Sequence, residues 1–376
     1  MNAGERHDDE RIMRLALALG RRHNGRTWPN PSVGAVVAEP ASSRIIAQGV
    51  TAPGGRPHAE PLALAAAGGA ARGATLHVSL EPCSHHGRTP PCVEAILAAG
   101  IARVVTALQD PDARVAGRGH AMLRSAGIDV VTGVLSEEAE RAHRGHLTRI
   151  REGRPAVILK LARTADGFAA AGPGEPRLMI SGEGVWARVH LLRAHADAIM
   201  VGISTILADD PRLDVRLDGL AGRSPVRIVL DSRLRLPASA RLVTSAREHP
   251  TWALCADRAD GDAEARLRER GVDVIRIAED RSGRLDLATA LRAIAGRGLT
   301  RVLCEGGPML ADALGRAGAL DEIVLVTGRR RLDRPGVAAV GPALASAVSS
   351  MRLVETEIVG DDRIEHFERA PCSPAS

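Results

Sequence analysis

The sequence predicts an α/β protein with two domains, each built around a mainly parallel sheet. Predicted strands and helices alternate along the whole chain. A short charged segment that ends in Gly and Pro, residues 151–155, interrupts this alternation near the middle. The length of 376 residues is also long for one core and ordinary for two. We therefore expect one domain over residues 1–152 and a second over residues 153–370.

Apolar periodicity and Gly or Pro breaks place the individual elements in order. In the first half we expect strands at 33–37, 45–48, 75–80, 104–107 and 128–132, and helices at 12–19, 58–67, 92–99, 121–126 and 136–150. In the second half we expect strands at 156–162, 198–201, 226–230, 252–255, 272–277, 301–304 and 322–326, and helices at 186–194, 263–270, 287–294 and from 308 onward. The strand at 322–326 is expected to complete the second sheet.

The composition is that of a globular protein without a secretory or membrane signal. Hydrophobic residues make up 45% of the chain and charged residues 25%. The N-terminus is charged and polar, and no apolar run reaches the length of a membrane span. The five cysteines are sparse and odd in number, which does not indicate a disulfide framework. We expect a cytoplasmic protein with no membrane partner.

The chain is basic, with a net charge of +5, and lysine occurs once, at Lys160. The charge fits either an Arg-rich surface or an attraction to phosphate-bearing ligands. Aromatic residues make up 1% of the chain and are not interleaved with basic stretches, so nucleic acid is not the expected partner. Because every other lysine or arginine position holds Arg, Lys160 indicates a place where a guanidinium could not replace the ammonium group. The other interpretation is the chance survival of one Lys.

The strongest functional pattern joins the tripeptide HAE at 58–60 to two later cysteines. His58 lies at the start of a predicted helix, Cys83 follows a predicted strand, and Cys92 begins the next helix. One imidazole and two thiolates leave a tetrahedral zinc ion with an open position, as in catalytic sites. Zinc lowers the pKa of a water ligand, and Glu60 can pass that proton to a departing amino group. The pattern is typical of zinc deaminases. We therefore expect His58, Cys83 and Cys92 as ligands and Glu60 as the catalytic residue.

The spacing of the two cysteines departs from the general pattern. Eight residues, 84–91, separate Cys83 from Cys92, where the general pattern has two. The alternative interpretation is a pair of buried free cysteines beside a surface histidine. His85 and His86 in the same loop are further candidate ligands, although a place in the pocket lining or in the loop fits them better.

Longer motifs in the chain resemble one family. The segment EPCSHHGRTPPC at 81–92, together with PNPSVG at 29–34 and HAE at 58–60, resembles the bifunctional riboflavin-biosynthesis deaminase–reductases. QDP at 109–111 and VAGRG at 115–119 also match. The resemblance continues into the second half and covers nearly the whole chain.

For the first half, the resemblance implies a cytidine-deaminase-like domain of three layers. Its substrate would be 2,5-diamino-6-ribosylamino-4(3H)-pyrimidinone 5′-phosphate, from which it removes the 2-amino group. The resemblance also implies that Asn30 contacts the pyrimidine, and an amide offers both a donor and an acceptor to a base edge. A turn residue between two prolines is the other interpretation of Asn30. The family often has an aromatic residue and a His where this chain has Val50 and Thr51.

For the second half, the resemblance implies a dihydrofolate-reductase-like domain that reduces the ribose of the deaminated product to ribityl with NADPH. The matching motifs are KLARTADG at 160–167, LR at 192–193, VG at 201–202, DDP at 209–211, DS at 231–232 and EGG at 305–307. The expected substrate-binding residues of this domain are Lys160, Arg177, Arg193, Leu213, Arg216 and Glu305. The expected cofactor-binding residues are Ala162, Met179, Thr205, Asp209, Ser232, Gly307, Pro308, Met309, Leu310, Ala311, Asp312 and Ala313.

The chemistry of these residue types agrees with those roles. Arg193 and Arg216 suit a sugar phosphate, and Asp209 and Glu305 suit ribose hydroxyls. Two glycines at 306–307 open a helix directly after a strand, where backbone N–H groups can meet a phosphate. Taken singly, a tight turn and a solvated Arg remain the alternatives.

Two departures from the family lie in the second half. Met179 stands where the family usually has a Trp beside the nicotinamide, and residues 327–329 depart from its usual Ala-Pro pattern.

Three functions are therefore considered: the bifunctional enzyme, a deaminase whose second domain binds substrate without reducing it, and a nucleic-acid base editor. The near-absence of aromatic residues argues against the last. We expect Zn²⁺ and NADPH as cofactors, a small pyrimidine ribose phosphate as substrate, and a homo-oligomer.

Overall fold

The structure, a computed structural model, describes residues 3–40, 42, 44–172, 175 and 178–370. Arg177, which is named above, and the last of the five cysteines, Cys372, lie outside the described residues. The chain divides into two compact units, Met1–Gly153 and Arg154–Ser376. No helix in the described part of the chain is both long and apolar enough to cross a membrane.

The first unit is built around a sheet of five strands. Its helices are α1 Ala3–Arg21, α2 Ala59–Ala67, α3 Cys92–Ala99, α4 Arg118–Ser125, α5 Ser136–Ala142 and α6 Arg144–Glu152, and its strands are β1 Gly34–Ala38, β2 Ile45–Val50, β3 Thr75–Val78, β4 Arg103–Thr106 and β5 Asp129–Val131. The strand order is β2-β1-β3-β4-β5. β3, β4 and β5 run parallel, whereas β1 is antiparallel to both of its neighbours. This sheet is therefore mixed, and the expectation of a mainly parallel one was wrong for the first unit.

Helices cover both faces of this sheet and make three layers. Along β1 the side chains alternate: Ala35 and Val37 belong to one core cluster with residues of α2 and α3, and Val36 and Ala38 to another with residues of α1. Helix α2 lies very close to β2, because a Cβ added at Gly49 would be 2.3 Å from the Ala59 carbonyl oxygen. Glycine at this position therefore lets the start of α2 approach the sheet.

The second unit is built around a sheet of nine strands. Its helices are α7 Glu183–Ala194, α8 Ile203–Asp209, α9 Arg241–Thr244, α10 Gly261–Glu269, α11 Leu287–Gly296, α12 Pro308–Arg316 and α13 Pro342–Ser350, and its strands are β6 Ala156–Arg163, β7 Phe168–Ala170, β8 Ala198–Gly202, β9 Val226–Leu230, β10 Thr251–Ala256, β11 Val272–Ile277, β12 Arg301–Cys304, β13 Glu322–Thr327, β14 Val337–Ala338, β15 Arg352–Val359 and β16 Asp362–Glu368. The strand order is β11-β10-β9-β8-β12-β6-β13-β16-β15, and β7 pairs with β14 separately. From β11 to β13 all neighbours run parallel, and β16 and β15 add an antiparallel edge.

Three of the expected elements differ from the structure. The strand β13 does not complete the second sheet, since α13, β15 and β16 follow it. The expected helix at 136–150 is two helices, α5 and α6, which meet at His143, whose φ and ψ are −100° and 9°. The expected linker at 151–155 begins inside α6, which ends at Glu152 and is followed by Gly153 in the left-handed region, with φ 68°.

Candidate active sites

The three expected zinc ligands come together in the first unit. His58 immediately precedes α2, Cys83 lies in the loop after β3, and Cys92 is the first residue of α3. Nδ1 of His58 is 3.3 Å from Sγ of Cys92 and 3.7 Å from Sγ of Cys83, and all three donor atoms lie within 4.8 Å of one another. One imidazole nitrogen and two sulfurs at these separations fit a tetrahedral zinc ion. The donor set therefore suits the metal that the sequence predicts.

The start of α3 stabilises a thiolate at Cys83. The backbone N–H of Cys92 donates a hydrogen bond to Cys83 Sγ over 3.3 Å. Hydrogen bonding from the Cys92 thiol lowers the pKa of Cys83 to about 4, although burial opposes this shift. The same hydrogen bond raises the pKa of Cys92, because it keeps that thiol in its protonated form. The pair is thus ready to hold one negative charge before any cation binds.

The carboxyl group of Glu60 lies beside the three ligands and is buried. Glu60 is the second residue of α2, and 3% of its surface is exposed. Burial raises the pKa of Glu60 to about 7, against the opposing effect of His58. A carboxyl group whose pKa lies near neutrality can both accept and return a proton, as general acid–base catalysis requires.

A cavity of about 300 Å³ has His58, Glu60, Cys83 and Asn30 on its wall. Nδ2 of Asn30 donates to the carbonyl oxygen of Gly55 over 2.9 Å, which fixes the orientation of the amide. His85 lines the same cavity, whereas Nε2 of His86 lies 3.3 Å from a carboxylate oxygen of Glu94. Neither histidine joins the ligand cluster found among the described residues.

Glu81, which the sequence reasoning left without a role, holds one wall of this cavity. Its side chain is fully buried and accepts hydrogen bonds from the backbone N–H groups of Asp110, Gly117, Gly119 and His120, at 3.2, 2.9, 2.9 and 3.3 Å. The segment between these amides contributes further residues to the lining. The only sequence signal for this role is an acidic residue placed directly before Pro-Cys.

His146 is a second wall residue that no motif indicated. It lies on α6, lines the cavity, and its Nε2 is 3.0 Å from Oδ1 of Asp110. The same Asp110 oxygen accepts the backbone N–H of Asp112 over 2.9 Å. These bonds fix Asp110 in place on the cavity wall.

The second unit has a larger cavity, of about 890 Å³. Its lining includes seven of the residues that the resemblance implied, from positions spread along the unit: Lys160, Met179, Arg193, Asp209, Leu213, Arg216 and Glu305. The structure therefore brings the expected substrate-binding side chains together with part of the expected cofactor-binding set.

Arg193 and Glu305 form a buried, two-pronged ion pair in this cavity. Nε and Nη2 of Arg193 donate to the two carboxylate oxygens of Glu305 over 2.7 and 2.8 Å, and Nη1 donates to the carbonyl oxygen of Asp214 over 2.9 Å. Burial alone would raise the pKa of Glu305, but Arg193 and Lys160 hold it below its ordinary value. These bonds use three of the five N–H groups of the Arg193 guanidinium, and the expectation that Arg193 binds the substrate phosphate stays a prediction. Arg193 orients Glu305.

Four of the expected cofactor-binding residues lie at, or just after, the carboxyl ends of neighbouring parallel strands. Ala162 lies near the end of β6, and Thr205, Ser232 and Gly307 follow β8, β9 and β12 within three residues. Because the carboxyl ends of parallel strands meet at one edge of a sheet, these residues lie along that edge, where α/β proteins bind their ligands. Gly307 is the N-cap of α12, and the start of a helix directly after a strand fits a phosphate of a dinucleotide.

The side chains of two expected cofactor-binding residues of α12 are buried or bonded within the protein. Ala311 is fully buried. The carboxylate of Asp312 accepts the backbone N–H groups of Ala343 and Leu344 over 2.8 and 3.1 Å, and so caps α13. The other expected residues of this helix are Pro308, Met309, Leu310 and Ala313, of which Met309 is 67% exposed.

Comparison with known proteins decides the family. Residues 6–108 match the cytidine and deoxycytidylate deaminase zinc-binding region, and residues 155–329 match the RibD C-terminal domain. The riboflavin biosynthesis protein RibD of Escherichia coli strain K12 is 39% identical, over 96% of this chain and 99% of its own length. The chain belongs to the RibD family. RibD of Aquifex aeolicus is 36% identical, over 97% of this chain and 99% of that protein.

Solved RibD structures share the whole fold. RibD of Acinetobacter baumannii, in its first crystal form, superposes with a TM-score of 0.86 at 31% identity and covers 98% of this chain and 100% of its own. The deaminase/reductase of Thermotoga maritima gives a TM-score of 0.82 at 30% identity, with 97% and 99% covered. These relatives confirm the cytidine-deaminase-like and reductase fold class.

This RibD chain is a bifunctional deaminase and reductase of riboflavin biosynthesis. The two matched domains, one on each side of residue 153, support Zn²⁺ and NADPH as its cofactors, and the His-Cys-Cys cluster can hold the metal. The comparisons do not favour the alternative in which the second domain binds substrate without reducing it.

Proposed function

We propose that the first domain, residues 1–152, deaminates 2,5-diamino-6-ribosylamino-4(3H)-pyrimidinone 5′-phosphate, and that the second, residues 153–370, reduces the ribose of the product to ribityl. The observation that carries the proposal is the buried Glu60 in one cavity with His58 and Cys83, which form a metal-ligand cluster with Cys92. The T. maritima relative is named a diaminohydroxyphosphoribosylaminopyrimidine deaminase and 5-amino-6-(5-phosphoribosylamino)uracil reductase, which supports this substrate class.

In the deamination step, Glu60 moves the proton. A zinc ion held by His58, Cys83 and Cys92 supplies Lewis acidity that lowers the pKa of a water molecule. Glu60 accepts a proton from this water as its oxygen adds to the amino-bearing ring carbon. Glu60 then gives this proton to the amino group, which leaves as ammonia, and the remaining hydroxyl proton passes to the adjacent ring nitrogen, so that a carbonyl is left. Asn30, fixed by its bond to Gly55, holds the edge of the pyrimidine during these transfers.

In the reduction step, side chains of the larger cavity hold the sugar phosphate. NADPH supplies the hydride when it is bound along the carboxyl edge of the sheet. Arg216 binds the phosphate, and Glu305, oriented by Arg193, accepts hydrogen bonds from ribose hydroxyls. The hydride adds to the anomeric carbon of the ribose, whose bond to the ring oxygen breaks, and that oxygen takes up one proton. The Lys160 ammonium, whose charge acts on Glu305, donates this proton.

The remaining expected residues complete the site. Leu213 lies beside the substrate, and Arg177 is assigned to the substrate by resemblance alone. Residues at the carboxyl edge and on α12 bind NADPH: Ala162, Met179, Thr205, Asp209, Ser232, Gly307, Pro308, Met309, Leu310, Ala311, Asp312 and Ala313. Ala311 and Asp312 are assigned to NADPH by resemblance alone. We also infer that the enzyme acts in the cytoplasm as a homo-oligomer, on a small-molecule substrate and not on nucleic acid.

Two activities measured on one preparation test this proposal. The zinc-loaded full chain is expected to release ammonia from the diaminopyrimidinone phosphate and then to oxidise NADPH. The Cys83→Ser variant is expected to lose zinc and ammonia release, yet still to oxidise NADPH when the deaminated intermediate is supplied. Failure of the wild-type enzyme to release ammonia with zinc bound would contradict the proposal. If NADPH is not oxidised when the intermediate is present, the proposal would be restricted to deamination.

A further inference from the structure

Trp186 presents a half-exposed indole to the cavity of the second domain. It lies on α7, lines the cavity of about 890 Å³, and is 43% exposed. By contrast, Trp252 on β10 is 6% exposed. A large apolar ring on a cavity wall offers surface that a planar ligand can cover. Aromatic residues make up only 1% of this chain, so a tryptophan in this cavity needs an explanation.

Two neighbours fix the orientation of this indole. The ring of His190, one turn further along α7, lies with its centroid 4.1 Å from that of Trp186 at an interplanar angle of 45°. The guanidinium carbon of Arg216 lies 5.9 Å from the indole centroid, within cation–π range. Nδ1 of His190 accepts the backbone N–H of Arg216 over 2.9 Å. Trp186, His190 and Arg216 therefore form one connected stretch of the wall.

The imidazole in this stretch is uncharged near neutral pH. Burial lowers the pKa of His190 to about 4, and the charges of Arg193 and Arg216 act in the same direction. The positive charge beside the indole therefore comes from Arg216, the side chain to which we assign the substrate phosphate. A molecule bound by its phosphate to Arg216 would extend past Trp186.

We propose that Trp186 is a specificity-determining residue of the reductase, whose indole stacks on the pyrimidine ring of the molecule whose phosphate Arg216 binds. This rests on the proposed function. Met179 and Asp209, which are assigned to NADPH, line the same cavity, but the pyrimidine is favoured over the nicotinamide because Trp186 contacts Arg216, to which the substrate phosphate is assigned. Stacking of a base on an aromatic side chain contributes about 1–3 kcal/mol, which corresponds to roughly a 5- to 150-fold change in affinity.

The test separates the ring of the substrate from its phosphate. In Trp186→Ala, the KM for the deaminated intermediate is expected to rise about tenfold, while the KM for NADPH stays unchanged. Trp186→Phe keeps an aromatic ring and is expected to retain most of the wild-type affinity for the intermediate. Ribose 5-phosphate, which lacks the ring, is expected to inhibit wild type and Trp186→Ala equally. Equal loss of affinity for ribose 5-phosphate would overturn the proposal, because Trp186 would then act through Arg216. An increase confined to the KM for NADPH would overturn it too.

A binding measurement makes the test independent of turnover. In a background that carries both Trp28→Phe and Trp252→Phe, Trp186 is the only tryptophan left in the chain, and the deaminated intermediate is expected to change its fluorescence. Unchanged fluorescence of this double variant at a saturating concentration of the intermediate would contradict stacking on Trp186. A wild-type enzyme that binds the intermediate with this response but oxidises no NADPH would instead count against the proposed function, so the two failures are distinguishable.

Discussion

The amide of Gly119 donates a 2.9 Å hydrogen bond to Oε1 of Glu81, and this bond joins the two sides of the deaminase cavity. Glu81 lies two residues before Cys83, on the segment that carries the first cysteine ligand. Gly119 lies at the start of α4, beyond the loop that forms the opposite wall. A Cβ at this position would lie 2.2 Å from the Pro82 carbonyl oxygen, so the close approach requires glycine. The ligand segment and the wall are therefore held as one unit.

Replacing Glu81 with Gln is expected to destabilise the first domain by about 3 kcal/mol. Each carboxylate oxygen of Glu81 accepts two backbone N–H groups, and an amide NH₂ would leave two of them buried without an acceptor. Chemical unfolding of the zinc-loaded chain measures the loss. Glu94→Gln on α3, where the side chain is 48% exposed, is the matched control and should change stability little. Equal stabilities of the two variants would contradict the role of Glu81.

Glu60→Gln is expected to keep zinc and to lose deamination. A glutamine of the same shape cannot accept the proton of the attacking water, and removal of a general acid–base group costs about 10²–10⁴-fold in rate. Metal analysis and ammonia release measure the two effects on one preparation. NADPH oxidation with the deaminated intermediate serves as the internal control and should be retained. Substantial ammonia release by the zinc-loaded variant would refute the proton-transfer role.

Lys160→Arg is expected to slow reduction about 10²-fold and to spare deamination. The substitution keeps the positive charge near Glu305 but replaces an ammonium that can release a proton with a guanidinium that does not. Steady-state NADPH oxidation checks this. Arg163→Lys makes the reverse change on the same strand, where Arg163 donates to Thr327 outside the cavity lining, and should leave the rate unchanged. Wild-type kinetics in Lys160→Arg would show that the single lysine is incidental.

Much of the fold could be predicted from local sequence, because its strands are continuous apolar runs. The expected strands at 226–230, 272–277 and 301–304 match β9, β11 and β12, and the expected start of a helix at Cys92 matches α3. β15 was missed because most of its residues are exposed, so no apolar alternation marks it. The orientation of β1 was also not predictable, since the antiparallel pairing with β3 is set by tertiary contacts.

Among the site residues, those set by a local motif could be predicted from the sequence, and those set by tertiary contacts could not. His58, Glu60, Cys83 and Cys92 were found because metal chemistry restricts both residue type and spacing. The role of Glu81 was not predicted, because its four backbone N–H partners lie 29 to 39 residues further along the chain. The Arg193–Glu305 pair joins residues 112 positions apart, so sequence reasoning assigned each one separately to a ligand. Contacts of this kind become visible only when the chain is folded.

His143→Asn is expected to make the first domain less sensitive to acid. Burial lowers the pKa of His143 to about 4, from an ordinary value of 6.5. The unfolded chain therefore binds more protons between these values, and stability falls as pH drops from 6.5 towards 4, by about 3 kcal/mol in total. Asn keeps a polar group near Ser79 but cannot titrate, so the slope of unfolding free energy against pH should decrease by about one proton in this window.

Ser79→Ala is the control, because it removes the 3.1 Å contact between the Ser79 hydroxyl and His143 Nε2 but leaves the imidazole buried. This variant should keep the wild-type slope. Identical slopes in wild type and His143→Asn would assign the acid sensitivity to other groups.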